Sequence, residues 1–204
     1  MYDFEKCDTL SVGRKLIFVV LFVVLTFAPT RTAAQEKPYL NAVKLTFLSW
    51  ASGSTKISYE RAFPRWEQSG ELCASFISMG HDKYDNDPLG FTLRYGHKFF
   101  VGNYSENKPL DGFFVRPEII YTYFKYTAKD TNERTTSQVG SLIGTLGYQK
   151  SFDRFLVDTW VGAGLALGTP ADTGYQHGIK VVDPIKDNIS TKALSFSIRL
   201  GWLF

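Results

Sequence analysis

The stretch Ala193-Leu-Ser-Phe-Ser-Ile-Arg-Leu-Gly-Trp-Leu-Phe204 alternates with a period of two. Leu194, Phe196, Ile198, Leu200, Trp202 and Phe204 share one face, and Ser195, Ser197, Arg199 and Gly201 share the other. Such alternation is a β-strand pattern, because successive side chains of a strand point to opposite faces. One face is large and apolar; the other is small, polar or charged. In a soluble sandwich the apolar face is buried. In a transmembrane barrel it meets lipid, and the polar face lines the interior.

Seven more segments repeat the pattern: 41–48, 56–63, 71–78, 90–100, 112–126, 138–150 and 155–167. The opening segment sets Val43, Leu45 and Phe47 against Lys44 and Thr46. The segment 112–126 sets Phe113, Val115, Ile119, Tyr121 and Tyr123 against Arg116, Glu118 and Thr122, with Phe114, Ile120 and Phe124 blurring the polar face. Pro117 cannot donate a ladder hydrogen bond, so a bulge or kink is expected there. Eight strands of about ten residues are expected to form an all-β, antiparallel, up-and-down transmembrane barrel.

At the other end of the chain, Arg14-Lys15 precede an apolar run from Leu16 to Ala28, and the small residues Thr32-Ala33-Ala34 follow. A positive region, an apolar region and a small-residue exit read as a secretory signal peptide. The run has 13 residues, whereas a membrane-spanning helix needs about 20. The expected organisation is a signal peptide over 1–34 and one barrel domain over 35–204. Removing the four basic and three acidic residues before Gln35 takes the formal charge from +3 to +2. With no basic block, nucleic acid is not an expected partner. Cys73 is then the only thiol, so no internal disulfide staples the domain.

The connections carry the second half of the reading. If both ends of the barrel lie in the periplasm, the turns near 64–70, 101–111 and 151–154 are periplasmic. The connections near 49–55, 79–89, 127–137 and 168–192 are then outer. The longest lies outside, as membrane barrels prefer, although 101–111 is long for a periplasmic turn. Aromatic residues gather at both ends. Trp50, Tyr84, Tyr121, Tyr123 and Tyr126 fall at the outer strand ends. Phe63, Trp66, Phe99, Phe100, Phe113, Tyr148, Phe152, Trp202 and Phe204 fall at the inner ones. Two such clusters look like the aromatic girdles of a membrane barrel.

On these residues the chain resembles the small exported β-barrels of Gram-negative outer membranes, with the architecture of OmpA- and OmpX-type barrels. The resemblance spans Asn41 to Phe204. It is carried by the opening Val43-Lys-Leu-Thr-Phe-Leu-Ser-Trp50, by Ile57-Ser-Tyr-Glu-Arg61, by Phe114-Val-Arg-Pro-Glu118 and by the aromatic final strand. It implies an outer-membrane location. It also implies contact with outer-membrane lipid and lipopolysaccharide, and recognition of Trp202 and Phe204 by the barrel-assembly machinery. It brings no activity and no cofactor with it.

The polar faces place Lys44, Glu60, Glu71, Arg94, Lys98, Arg116, Glu118, Asp158 and Arg199 inside the barrel. An eight-stranded barrel is about wide enough for its own side chains. Charges confined there must pair, since a lone buried charge is very costly. The expected interior is therefore a salt-bridged plug rather than a pore, and the expected role is structural or interactive, through outer loops. Loop 168–192, which mixes Tyr175, His177, Val181, Val182 and Ile185 with charges, would either engage a surface protein or fold over the barrel mouth.

Two other readings use the same residues. An outer-membrane lipid-modifying enzyme or protease would need His81 or His177 with a nucleophile or acidic partners. No His-x-Ser-Asn pattern is present. A soluble lipocalin-like carrier would also have eight strands, with its apolar faces turned inward around a ligand. The acidic stretch His81-Asp-Lys-Tyr-Asp-Asn-Asp-Pro88 lacks the calcium-loop spacing and reads as a turn; no metal is expected.

Overall fold

The computed structural model describes residues 38–78, 86–102, 104–128, 131–182 and 191–204 of the chain. Nine strands form in order: β1 (Asn41–Leu45), β2 (Ser54–Phe63), β3 (Gln68–Ile77), β4 (Asn86–Val101), β5 (Gly112–Thr127), β6 (Arg134–Phe152), β7 (Phe155–Thr169), β8 (Lys180–Val182) and β9 (Thr191–Leu203). All pairings are antiparallel between sequence neighbours, except that β7 pairs with β9 and β9 pairs back onto β1. The sheet thus closes into a ring of eight strands, with β8 as a short ninth strand on the edge of β9. Among the described residues no helix is long and apolar enough to cross a membrane.

Closure depends on β1. Val43 pairs with Tyr59 on one side and with Trp202 on the other. Asn41 and Phe204 exchange both backbone hydrogen bonds, at 3.2 and 3.0 Å. The strand ends at Leu45, three residues earlier than the alternation predicts, and residues 47–52 turn into a 3-10 helix. Gly53, at φ 73°, ends that turn in the left-handed region, which glycine adopts without steric cost.

Pro117 produces no bulge. Its register with Gly144 is regular, and the β4–β5 register is the same before and after it. The ladder to β4 drops the pairs of His97 and Lys98, where Pro117 and Arg116 would have bonded. The missing N–H therefore costs ladder contacts without shifting the register. The irregularity of β5's ladder lies instead between Asn86 and Leu89 of β4.

Strands β4 and β6 reach further than the apolar alternation. Thr135 and Thr136 extend β6 opposite Tyr126 and Lys125. β-Branched residues favour extended backbone even where neither face is apolar.

Burial follows the period of two. Leu72, Leu93, Ile119, Leu142, Leu146, Val161, Phe196 and Ile198 are exposed on the outer face, while Glu60, Glu71, Lys98, Arg116, Glu118 and Asp158 are buried within. Two aromatic residues leave the expected girdles. Phe100 and Tyr126 face inward and are buried, at 5% and 3% exposure.

Candidate functional site

The interior is built in three layers. The near layer lies at the end that holds Asn41 and Phe204. There Phe100, Phe114, Leu156, Trp160 and Leu203 pack with Leu110 of the 102–111 connection, and Tyr39, Leu40 and Tyr104 cover them. The length of that connection has a use: it carries Leu110 into the barrel end. The Asp111 carboxylate accepts from Ser151 N at 3.2 Å and from Ser151 Oγ at 3.0 Å, which ties the connection to β6. Burial pushes the Tyr104 phenol up to about 12, with Glu67 and Glu106 adding to the effect.

The far layer is made by the chain between β7 and β9. Residues 174–181 form a hairpin: Gln176 N donates to Ile179 O at 2.9 Å, and Val181 N donates to Gly174 O at 2.7 Å. Its tip, His177 and Gly178, has φ of 48° and 141°. Ile179 and Val181 pack on Ile120, Val139, Ile143 and Ala166 inside the barrel. Ala171 packs beside Ile77, Phe124 and Tyr126. Of the two outcomes open for loop 168–192, the described part (168–182) folds into the mouth.

Between these layers lie the nine charged residues that the sequence placed inside the barrel. The structure brings Glu60, Glu71 and Asp158 together with Lys44, Lys98 and Arg199 in one knot. Lys44 Nζ meets Asp158 Oδ2 at 2.6 Å and Glu71 Oε2 at 3.1 Å, and it also contacts Glu60. Lys98 Nζ lies 2.9 Å from Asp158 Oδ2, 3.2 Å from Glu60 Oε1 and 3.4 Å from Glu71 Oε2. Arg199 grips Glu71 with both guanidinium nitrogens, Nη2 to Oε2 at 2.7 Å, and Nη2 also reaches Asp158 at 2.7 Å.

Arg116 and Glu118 form a second pair at 2.9 Å, and Arg94 approaches the same carboxylate at 3.5 Å. Charges this buried survive only with partners on several sides, and the knot supplies them. The three carboxylates of the knot lie close enough to hold a metal ion. Two lysines and an arginine already occupy the space between them, so their chemistry is that of a salt-bridge network.

Two members of the network are not charged. Gln149 accepts from Lys44 Nζ at 3.0 Å and from Lys98, and its own amide donates to Glu60 Oε2 at 3.2 Å and to Leu110 O at 3.0 Å. It thereby joins the knot to the near layer. Trp160 lies against two guanidiniums, with Arg199 Cζ 4.2 Å and Arg116 Cζ 4.3 Å from its ring centroid. Neither was singled out from sequence as part of the cluster. Gln149 shares a face with Thr145 and Asp158 pairs opposite it, which was the available signal. Trp160 shares the parity of Asp158 and Gly162, which was its signal.

The remaining candidates fall elsewhere. His177 is buried; its Nδ1 lies 3.0 Å from Ser52 O, and its ring packs edge-on against Phe124. Those contacts make it part of the mouth packing. His97 lies on the outer face, 3.0 Å from Gln68 Oε1. Trp202 and Phe204 lie on the outer face at the β1–β9 seam, at 37% and 54% exposure. His81 and its acidic neighbours to Asp85, Tyr84 of the expected girdle and Ile185 lie outside the described residues. No family model matches the chain, nor does any curated protein or solved structure.

Proposed function

We propose that this protein is an eight-stranded transmembrane β-barrel of a Gram-negative outer membrane, exported behind a signal peptide over 1–34, with a closed interior. One observation carries the reading. The ring turns its large apolar side chains outward over the wall and its charges inward. Soluble monomers rarely expose contiguous apolar patches beyond a few hundred Å², and a bilayer is the solvent that rewards this facing. A lipocalin-like carrier requires the opposite facing, with apolar residues around an internal ligand.

With the interior closed by its three layers, the role is structural or interactive. It is exercised through the far-end connections and the lipid-facing wall, with outer-membrane lipid and lipopolysaccharide as the surroundings. Trp202 and Phe204 serve as the signal to the assembly machinery. The buried setting of His177 gives the enzyme reading no support.

The test is gel mobility of the protein in detergent, with and without boiling. Folded membrane barrels are expected to resist dodecyl sulfate until heated and to migrate differently when unboiled. A chain that stays folded and monodisperse without detergent, and shows no shift, sinks the proposal.

A further inference from the structure

The charged interior does not balance at its far side. Lys56 is a sixth inward-facing cation: it stands between Ser54 and Ser58 on the inner face of β2. Six cations (Lys44, Lys56, Arg94, Lys98, Arg116 and Arg199) therefore face four carboxylates (Glu60, Glu71, Glu118 and Asp158). Each carboxylate is engaged by other cations, and among the described residues Lys56 meets none.

Lys56 and Arg94 converge on the tip of the mouth hairpin. A Cβ placed on Gly178 would stand 2.7 Å from Lys56 Nζ and 3.4 Å from Arg94 Nη2, so the two cationic heads lie within about 6 Å of each other. Arg94 Nη2 donates to Gly178 O at 3.3 Å, and Ser195 Oγ donates to the same carbonyl at 3.1 Å. Directly across the β2–β3 ladder from Lys56 is Ser75. Its hydroxyl is buried with no hydrogen-bond partner. Opposite residues of neighbouring strands carry Cβ atoms about 5 Å apart. The place therefore holds two like charges and an unused donor.

The strand ladder is also interrupted beside it, where the 3-10 helix at 47–52 rather than a strand lies near β9. β1 ends at Leu45, which pairs with Leu200, and β8 takes up β9 only at residues 192–194. Residues 195–199 of β9 have no strand partner on that edge among the described residues. Lys56 and Ser197 flank this interval and, although inward-facing, both are part-exposed.

Two cations this close, Lys56 meeting no carboxylate and Arg94 sharing Glu118 with Arg116, repel each other unless an anion joins them. We propose that Lys56, Arg94 and Ser75 bind a small oxyanion, a phosphate group, beneath the hairpin tip, and that it arrives through the interval beyond the end of β1. A phosphate suits the donors: guanidinium, ammonium and hydroxyl groups each find a separate oxygen. The inference stands on the interior geometry and is independent of the membrane assignment. The phosphate is either free or the head of a lipid.

The experiment is thermal unfolding of the purified protein in zwitterionic micelles. Sodium phosphate is compared with sodium chloride at equal ionic strength, and lysophosphatidic acid is added to the micelles in a separate series. For the wild type, a saturable rise of about 3–6 °C is expected at tenfold excess over the half-saturating concentration. In chloride alone, Lys56→Gln is expected to unfold above the wild type, because the repulsion is gone, and to respond at least tenfold more weakly to the probe.

Ser75→Ala, which removes one hydroxyl, is expected to weaken the response several-fold and serves if the lysine variant does not fold. A response to inorganic phosphate assigns a free anion; a response to the lipid alone assigns a head group. If neither probe acts beyond chloride, or if the variants respond as the wild type does, the proposal is overturned.

Discussion

Glu71 is the residue on which the knot turns, since it meets Lys44, Lys98, Arg116 and Arg199. Removing it leaves buried cations with too few partners. Breaking a buried charge pair from one side typically costs about 3–5 kcal/mol. Glu71→Gln keeps the shape and removes the charge, and denaturant unfolding in micelles is expected to show a loss of that size. Trp160→Leu tests the stacked guanidiniums separately. A desolvated cation–π contact contributes about 2 kcal/mol, and Trp160 makes two within 4.5 Å of its ring centroid. Its loss is expected to exceed that of an ordinary aromatic truncation on the outer face, such as Phe196→Leu. At this scale the sequence was informative for charge and silent for partners. Alternation assigns Glu71 to a side of the wall, but which of six inward cations it touches depends on the register of strands far apart in the chain.

Strands obey a rule of space as much as of pattern. Gly96 faces inward, and a Cβ there would lie 2.6 Å from Arg116 Cδ. Gly96→Val is therefore expected to displace the arginine from Glu118 and to destabilise by about 1–3 kcal/mol, the usual cost of overpacking. Gly140, with nothing near its missing Cβ, is expected to accept alanine without loss, and the two variants can be compared in one unfolding series. Pro117→Val restores an N–H where the β4 ladder lacks its pairs, and is expected to leave stability within about 1 kcal/mol or to raise it. The extents of β2, β5 and β7 were legible to within two residues because their two faces differ so strongly, whereas β3 starts three residues before its alternation. The early end of β1 was not: Phe47 continues the alternation, and the turn is set by Gly53 and the hairpin that follows. Phe114, Ile120 and Phe124, which blurred the pattern of β5, prove to be the parts of β5 that enter the near and far layers. Apolar residues on a polar face were the sequence's mark of where the charged layer stops.

For the molecule as a whole, three layers in series block the interior, and they are separable. Replacing residues 174–181 with a glycine–serine linker removes the far layer and leaves the knot and the near layer in place. Planar-bilayer recordings of that variant are expected to remain without stable conductance, because the knot fills the section of the barrel. A steady open channel would show that the hairpin, and not the knot, closes the interior. Lipid, assembly machinery and surface partner were drawn from resemblance and composition, and they rest on the facing of the wall. The architecture itself was legible because a closed sheet needs only a period, a strand count and connections that permit neighbours to pair.

The brevity of β1 governs how the ring comes apart. It holds five residues, and it joins positions more than 160 apart in sequence at its contact with Phe204. Every other seam in the ring links strands that follow one another closely or are separated by one loop. Long-range contacts form only after the entropy of a large loop has been lost, so this seam closes last during folding and is the first to unzip. Amide hydrogen exchange is expected to follow that order, with Val43 and Leu45 exchanging well before Ile119 or Leu142 at the centre of β5 and β6. Exchange that is uniform around the ring would mean that the barrel opens all at once.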